Sequence, residues 1–136
     1  MTDTPSFFRR LLDAAAAEPQ PQRLLFVFAE VALPAGASAD EAARHAAGQG
    51  GTLTPLACVD KGVEDLDSFD ALVAESRQAC PPWGMVFIAA LSGQGGKVPA
   101  KDVVDSALRR MVENIQAGRM AGYLALDPQG DPLTFR

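Results

Sequence analysis

The chain has few of the side chains that metal centres and nucleophilic active sites require. Its 136 residues include one histidine and two cysteines. Cys58 and Cys80 have no second cysteine or histidine at the spacing of a zinc site, and neither has a neighbouring base that would activate a thiolate. We predict that Cys58 is a small apolar residue in the core side of a strand and that Cys80 is more exposed, at a helix end. A thiol-dependent activity at Cys80 is the weakest of the functions considered.

The single histidine also lacks a partner for catalysis. His45 lies in an alanine-rich segment beside Asp40, Glu41 and Arg44, which is typical of a solvated helix surface. No nucleophile, base and orienting group occur together in the sequence. We therefore predict no catalytic residues, no metal and no cofactor, and we expect the protein not to be an enzyme.

Long apolar runs and basic runs are absent as well. The longest apolar stretches, residues 24–29 and 85–91, are shorter than the ~20 residues that a helix needs to cross a bilayer. The first residues are polar and acidic, unlike a secretory signal, so we expect a cytoplasmic protein with no membrane partner. The net charge is −5, with 17 acidic and 12 basic side chains, which disfavours nucleic acid as a partner.

What the sequence does contain is the composition of one ordinary folded domain. Hydrophobic residues make up 48% of the chain and charged residues 21%. This length supports one hydrophobic core, and no linker divides the chain, so we predict a single domain over residues 1–136.

Hydrophobic spacing predicts the first half of the fold. Residues 7–17 have apolar side chains at helical spacing, and the two prolines in residues 18–22 end that helix. Residues 23–33 are continuously apolar, which is typical of a central strand covered on both faces. A short helix is expected over residues 41–47. Residues 52–60 are predicted to form an edge strand or a bulged strand, because Pro55 interrupts them.

The second half continues the alternation of helices and strands. Asp67 or Ser68 is expected to cap a helix that ends at residue 79, and residues 83–91 form the third strand. The clearest helix starts near residue 100, buries apolar side chains including Val103, and stops at Gly118. Residues 123–126 and 132–135 are predicted to form a terminal β-hairpin around a proline-glycine turn.

These elements give the order αβαβαβαββ. We predict an α/β fold, with α+β as the alternative, in which helices pack on a mixed sheet of four to five strands. We also consider a homodimer that pairs through an edge strand, because small domains often cover an edge strand in that way.

The glycine-rich loop between the third strand and the next helix is the candidate ligand site. It does not match the phosphate loop of nucleotide hydrolases, because Leu91 occupies the first glycine position and Val98 replaces the magnesium-binding Ser or Thr. A plain connecting turn is the first interpretation. The alternative is a looser anion site, in which Lys97 pairs with the anion and glycine amides bind it. The residues of that site would be Ser92, Gly93, Gly95, Gly96 and Lys97.

Two further features are candidates for a functional site: an acidic group and the single tryptophan. The carboxylates of Glu64, Asp65, Asp67 and Asp70 are oxygen donors that suit magnesium or calcium, but their place before a helix favours capping. Trp83 follows two prolines, and its large apolar area favours core packing over recognition.

Four short segments are notable together: residues 24–29, 58–61, 81–83 and 89–93. They resemble a family of short proteobacterial proteins that have no assigned activity. Some members carry an automatic label of ribonucleotide reductase α subunit. That reductase needs a large barrel and several cysteines, so the label does not fit a chain with two isolated cysteines. The resemblance implies a bacterial, cytoplasmic protein.

From the residues we predict a non-enzymatic binding or protein-interaction domain. The alternative function is the binding of a small molecule or a phosphate anion by the loop at residues 92–97. The expected partner is accordingly either another protein or a small anion.

Overall fold

A computed structural model describes residues 7–32, 52–66, 68–120 and 122–133. These residues form three α-helices, a short 3-10 turn and a five-stranded sheet. In chain order the elements are α1 (Phe7–Ala16), β1 (Gln22–Ala32), β2 (Thr52–Gly62), the 3-10 turn (Val63–Asp65), α2 (Phe69–Ala79), β3 (Met85–Ser92), α3 (Lys101–Gln116), β4 (Leu124–Leu126) and β5 (Pro132–Leu133). The fold is α+β in one domain, which confirms the predicted class. The helix expected over residues 41–47, with His45, lies outside the described residues.

The strands lie in the order β2-β1-β3-β4-β5. All four neighbouring pairs are antiparallel, so the sheet is antiparallel throughout and not mixed. A helix between two strands usually implies that the strands are parallel neighbours. Here α2 joins β2 to β3, which are parallel but separated by β1, and α3 joins β3 to β4, which are neighbours but antiparallel.

Both faces of the sheet are covered, because β1 and β3 are apolar at nearly every position. On one face α1 and α2 pack over Phe26 and Phe28, and on the other α3 packs over Val27 and Phe87. Trp83 is buried in the first of these cores, as the sequence predicts, with its ring 5.0 Å from that of Phe28. The prediction that β1 is central and doubly covered is confirmed.

Strand β2 forms one edge of the sheet, as its proline predicts. The pairing with β1 shifts between Phe28 and Ala29, so that Leu56 and Ala57 both pack against the first core. This is a β-bulge directly after Pro55. The prediction for Cys58 is wrong: it pairs with the fully buried Val27, yet it is exposed because an edge strand lacks a neighbour on its outer side.

The start of α2 and the end of α3 follow the capping rules, whereas Ala100, before α3, provides no side-chain cap. The Ser68 side chain accepts a hydrogen bond from the Ala71 amide at the start of α2. At the end of α3, Gly118 has a φ of 80°, and the amides of Gly118 and Arg119 donate to carbonyls of the last turn. This is a Schellman ending, which requires a left-handed residue at that position. The prediction that α3 buries Val103 is wrong, because Val103 is 48% exposed.

The predicted terminal hairpin is present, with strands at Leu124–Leu126 and Pro132–Leu133, while residues 134 and 135 of the predicted second strand lie outside the described residues. The Gly130 amide donates to the Asp127 carbonyl at 2.9 Å, and Gly130 has a φ of 88°. The Asp127 carboxylate also accepts the amides of Gln129 and Asp131, which fixes the turn. In the described ranges no helix has the length and apolarity that a membrane span needs.

Candidate functional site

The glycine loop forms a tight two-residue β-turn. Gln94 and Lys97 exchange backbone hydrogen bonds of 3.1 Å and 3.0 Å. Between them Gly95 and Gly96 have φ values of 60° and 77°. Two successive positive φ values define a type I′ turn, the hairpin turn in which glycine is preferred. We call residues 92–97 the glycine hairpin.

Most amides of the glycine hairpin already have acceptors inside the protein. The Gly93 amide donates to the Pro21 carbonyl at 2.8 Å, and the Gly96 amide donates to the Gln20 side-chain oxygen at 2.8 Å. Within the described part of the chain, Gly95 alone in the turn has an amide without an acceptor. An anion bound by both glycine amides would have to displace Gln20, and the anion site stays a prediction.

Residues 18–22, which the sequence identifies only as a helix-breaking segment, hold the glycine hairpin in place. Gln22 is 8% exposed, and its side-chain amide donates to the Gln20 carbonyl at 3.0 Å and to the Ser92 hydroxyl at 2.8 Å. A Cβ at Gly93 would overlap the Lys97 carbonyl oxygen, so only glycine allows this close approach. Two glutamines flanking Pro21 are the sequence signal for this arrangement, but nothing in the sequence pairs them with residues 92–96.

A depression of about 570 Å³ lies beside the glycine hairpin. It is open to solvent, and of its lining residues only Gln22 is buried. We call it the hairpin depression. Its lining comes from the end of α1, the segment that leads into β1 with the first residue of that strand, the 3-10 turn, the glycine hairpin and the residue after the hairpin: Ala15, Ala16, Glu18, Pro19, Gln20, Pro21, Gln22, Val63, Glu64, Gly96 and Val98.

The hairpin depression is apolar with an acidic edge. Val98 is 56% exposed, and with Val103 it is one of two large hydrophobic side chains exposed in the described residues. The two charged residues in the lining are Glu18 and Glu64, both exposed. Lys97, which an anion site would need, is not among the lining residues.

A second depression, of about 400 Å³, lies between the starts of α1 and α2 and the terminal turn. Three phenylalanines line it, with Arg10, Asp70 and Asp131 among the polar residues. The Arg10 guanidinium is 5.5 Å from the centre of the Phe7 ring, so this cation already has an aromatic contact within the chain.

The acidic group predicted to cap a helix is dispersed. Asp65 lies 3.9 Å from the Arg23 guanidinium, and Asp70 is in the first turn of α2, where the helix dipole favours a carboxylate. Asp67 lies outside the described residues. No group of three His, Cys, Asp or Glu side chains in the described ranges is arranged to hold a metal ion.

The surroundings of Cys80 do not activate its thiol as a nucleophile. Cys80 is half-buried against the first core, and burial raises the pKa of its thiol, which lowers the thiolate fraction at neutral pH. Its sequence environment lacks an activating base, and a raised pKa is the opposite of what a nucleophile needs.

Comparison of the chain with protein-family models, with curated proteins and with solved structures finds no match. The resemblance to short proteobacterial proteins therefore stays a prediction. Function has to be argued from the residues and their geometry alone.

Proposed function

We propose that the protein is a non-enzymatic interaction domain that docks a partner protein in the hairpin depression. The observation that carries the proposal is Val98, a large apolar side chain that is 56% exposed at a depression lined by further apolar residues. Exposed apolar surface with a polar edge is the usual character of a binding surface.

The shape of the depression favours a protein over a small molecule. Small-molecule sites enclose about 70–90% of their ligand. The hairpin depression is open, and its lining is mostly exposed or half-exposed. A surface of this kind receives one or two side chains of a partner whose remaining contacts lie around the edge.

Site-specific photo-crosslinking tests the proposal. A benzophenone amino acid replaces Val98 in the full chain, in the cells that naturally produce the protein. Val103 is the matched control, because it is also an exposed valine, at 48%, and does not line the depression. We expect one discrete adduct from position 98 and none from position 103. Equal labelling from both positions, or none from position 98, contradicts the docking function.

The alternative, anion binding at the glycine hairpin, is supported by the exposed tip of the turn. Gly95 presents its amide beside Lys97, and both residues are exposed. Inorganic phosphate would then raise the melting temperature of the wild type but not of Lys97→Ala, because only a ligand of the folded state stabilises it. Equal responses of the two proteins contradict this alternative.

A further inference from the structure

We propose that the group received by the hairpin depression is a basic side chain, lysine or arginine, of the partner protein. This inference rests on the docking function proposed above and adds the chemistry of the residue that is bound. It reverses the sign of the ligand that the glycine-lysine sequence of the loop predicts.

The first argument is the charge of the depression. Its two ionisable lining residues are Glu18 and Glu64, and neither forms an ion pair with another described residue. Asp65, next to Glu64 in the chain, shares its one cation, Arg23, with Asp60: the Arg23 guanidinium is 2.6 Å from Asp60 and 3.9 Å from Asp65. With no cation in the lining and a net charge of −5 for the chain, the depression attracts a cation and repels an anion.

The second argument is the apolar lining. Ala15, Pro19, Pro21, Val63 and Val98 provide hydrocarbon surface in the same lining as the two glutamates. Lysine and arginine have long aliphatic stems that lie along apolar surface while the charged end reaches a polar group. A lining that contains both apolar side chains and two carboxylates therefore matches both parts of such a side chain, whereas a metal ion or a free ammonium would use only the carboxylates.

The third argument is that the depression is formed before the partner arrives. Hydrogen bonds from Gly93 to Pro21, from Gly96 to Gln20 and from Gln22 to Ser92 tie the hairpin wall to the segment before β1. A wall fixed in this way loses little conformational entropy when a side chain binds.

The test uses the full chain and two fluorescein-labelled peptides. One has the sequence Gly-Ser-Leu-Lys-Pro-Leu-Lys-Ser-Gly, and the other has glutamine in place of both lysines. Fluorescence anisotropy compares their binding to the wild type, to Glu18→Gln/Glu64→Gln and to Glu30→Gln/Glu113→Gln. The last variant is the matched control: it removes the same charge from exposed residues outside the depression. Circular dichroism verifies that all three proteins are folded.

We expect the lysine peptide to bind the wild type more tightly than the glutamine peptide does. Glu18→Gln/Glu64→Gln should weaken the binding of the lysine peptide by about 3- to 10-fold, the range expected for the loss of two exposed charge pairs. The control double variant should weaken this binding by less than about twofold. Raising the salt concentration should weaken it as well. Equal losses in both double variants, no preference for lysine, or no binding of the lysine peptide overturns the inference.

The outcomes separate this inference from the docking function. If both peptides bind equally and both crosslink to a benzophenone at position 98, the depression docks partners without a preference for basic residues. The docking function then stands and the inference falls. If the cell's own proteins give no adduct at position 98, the docking function itself fails.

Discussion

At the scale of single residues, the two cysteines differ in their surroundings. Cys58 is exposed on the edge strand, and Cys80 is half-buried with a pKa raised by burial. We expect a maleimide at neutral pH to modify Cys58 faster than Cys80, because Cys58 is exposed and the raised pKa of Cys80 leaves less of its reactive thiolate. Mass spectrometry of the digested protein measures both rates, and Cys58→Ser isolates that of Cys80.

The same reasoning gives the direction of the pH dependence. The rate at Cys80 should keep rising as the pH increases beyond the ordinary pKa of a cysteine, because its thiolate forms later. Equal rates at the two thiols, or faster reaction at Cys80, would contradict the burial seen in the structure.

A buried polar contact offers a second test. The Trp83 indole donates to the Ser76 hydroxyl at 2.7 Å, and that hydroxyl donates to the Val73 carbonyl at 2.7 Å. Ser76→Ala leaves the buried indole N–H without an acceptor, so we expect a loss of about 1–3 kcal/mol in the free energy of unfolding, measured by urea denaturation. Ser106→Ala, on the exposed side of α3, is the control and should change stability by less than about 0.5 kcal/mol.

Single-residue predictions from the sequence fail where burial depends on a neighbour distant in the chain. Helical spacing places Val103 next to buried residues of α3, but a face of a helix is covered only as far as the sheet beneath it extends. Likewise Cys58 has the apolar neighbours of a core strand, and its exposure follows from strand order, which no local pattern specifies.

At the scale of elements, the glycine hairpin combines two different requirements for glycine. Gly93→Ala would place a Cβ against the Lys97 carbonyl, and we expect it to cost about 2 kcal/mol or more. Gly95→Ala meets no atom within 4 Å but keeps a φ of 60°, so about 1–2 kcal/mol is expected. Thermal denaturation measures both.

The control for these two substitutions is Gly122→Ala. Nothing lies within 4 Å of its added methyl group, and Gly122 is not among the described glycines with positive φ. We expect a change within about 0.5 kcal/mol. If Gly93→Ala reduced the stability no more than Gly122→Ala does, the close approach of the Gly93 and Lys97 backbones would be contradicted.

The elements themselves are largely predictable from the sequence, because their signals are local. Pro55 identifies the edge, Ser68 caps α2, Gly118 ends α3, and the turn at Pro128 and Gly130 forms the hairpin. The candidate site is less predictable. The glycines indicate a turn, but which groups their amides bind is decided by Gln20 and Gln22, which precede the turn by about 70 residues.

At the scale of the whole molecule, the exposed side of β2 is where a second copy would pair. Among the described strands β2 has one neighbour, and it is 11 residues long. If the expected homodimer forms there, light scattering will give twice the monomer mass, and Cys58→Lys will restore the monomer, because a charge in the middle of an edge strand opposes edge pairing. Ser106→Lys, which adds the same charge on α3, should leave the dimer intact. One monomer mass at every concentration would contradict this prediction.

The hydrogen bond from Gly96 to Gln20 has a consequence for how the protein folds and opens. It joins residues 76 positions apart, and the bond between Gln22 and Ser92 spans 70 positions. Contacts across so long a stretch of chain gain nothing until β1 and β3 have paired, since closing the loop costs entropy first. The Gly96 amide can nevertheless exchange its hydrogen by a local opening, because Gly96 is exposed and its acceptor is the Gln20 side chain, so its protection reports on the turn and not on the whole sheet. A partner that binds there only when β1 and β3 are paired would raise the free energy of unfolding of the whole domain, because it binds the folded state alone.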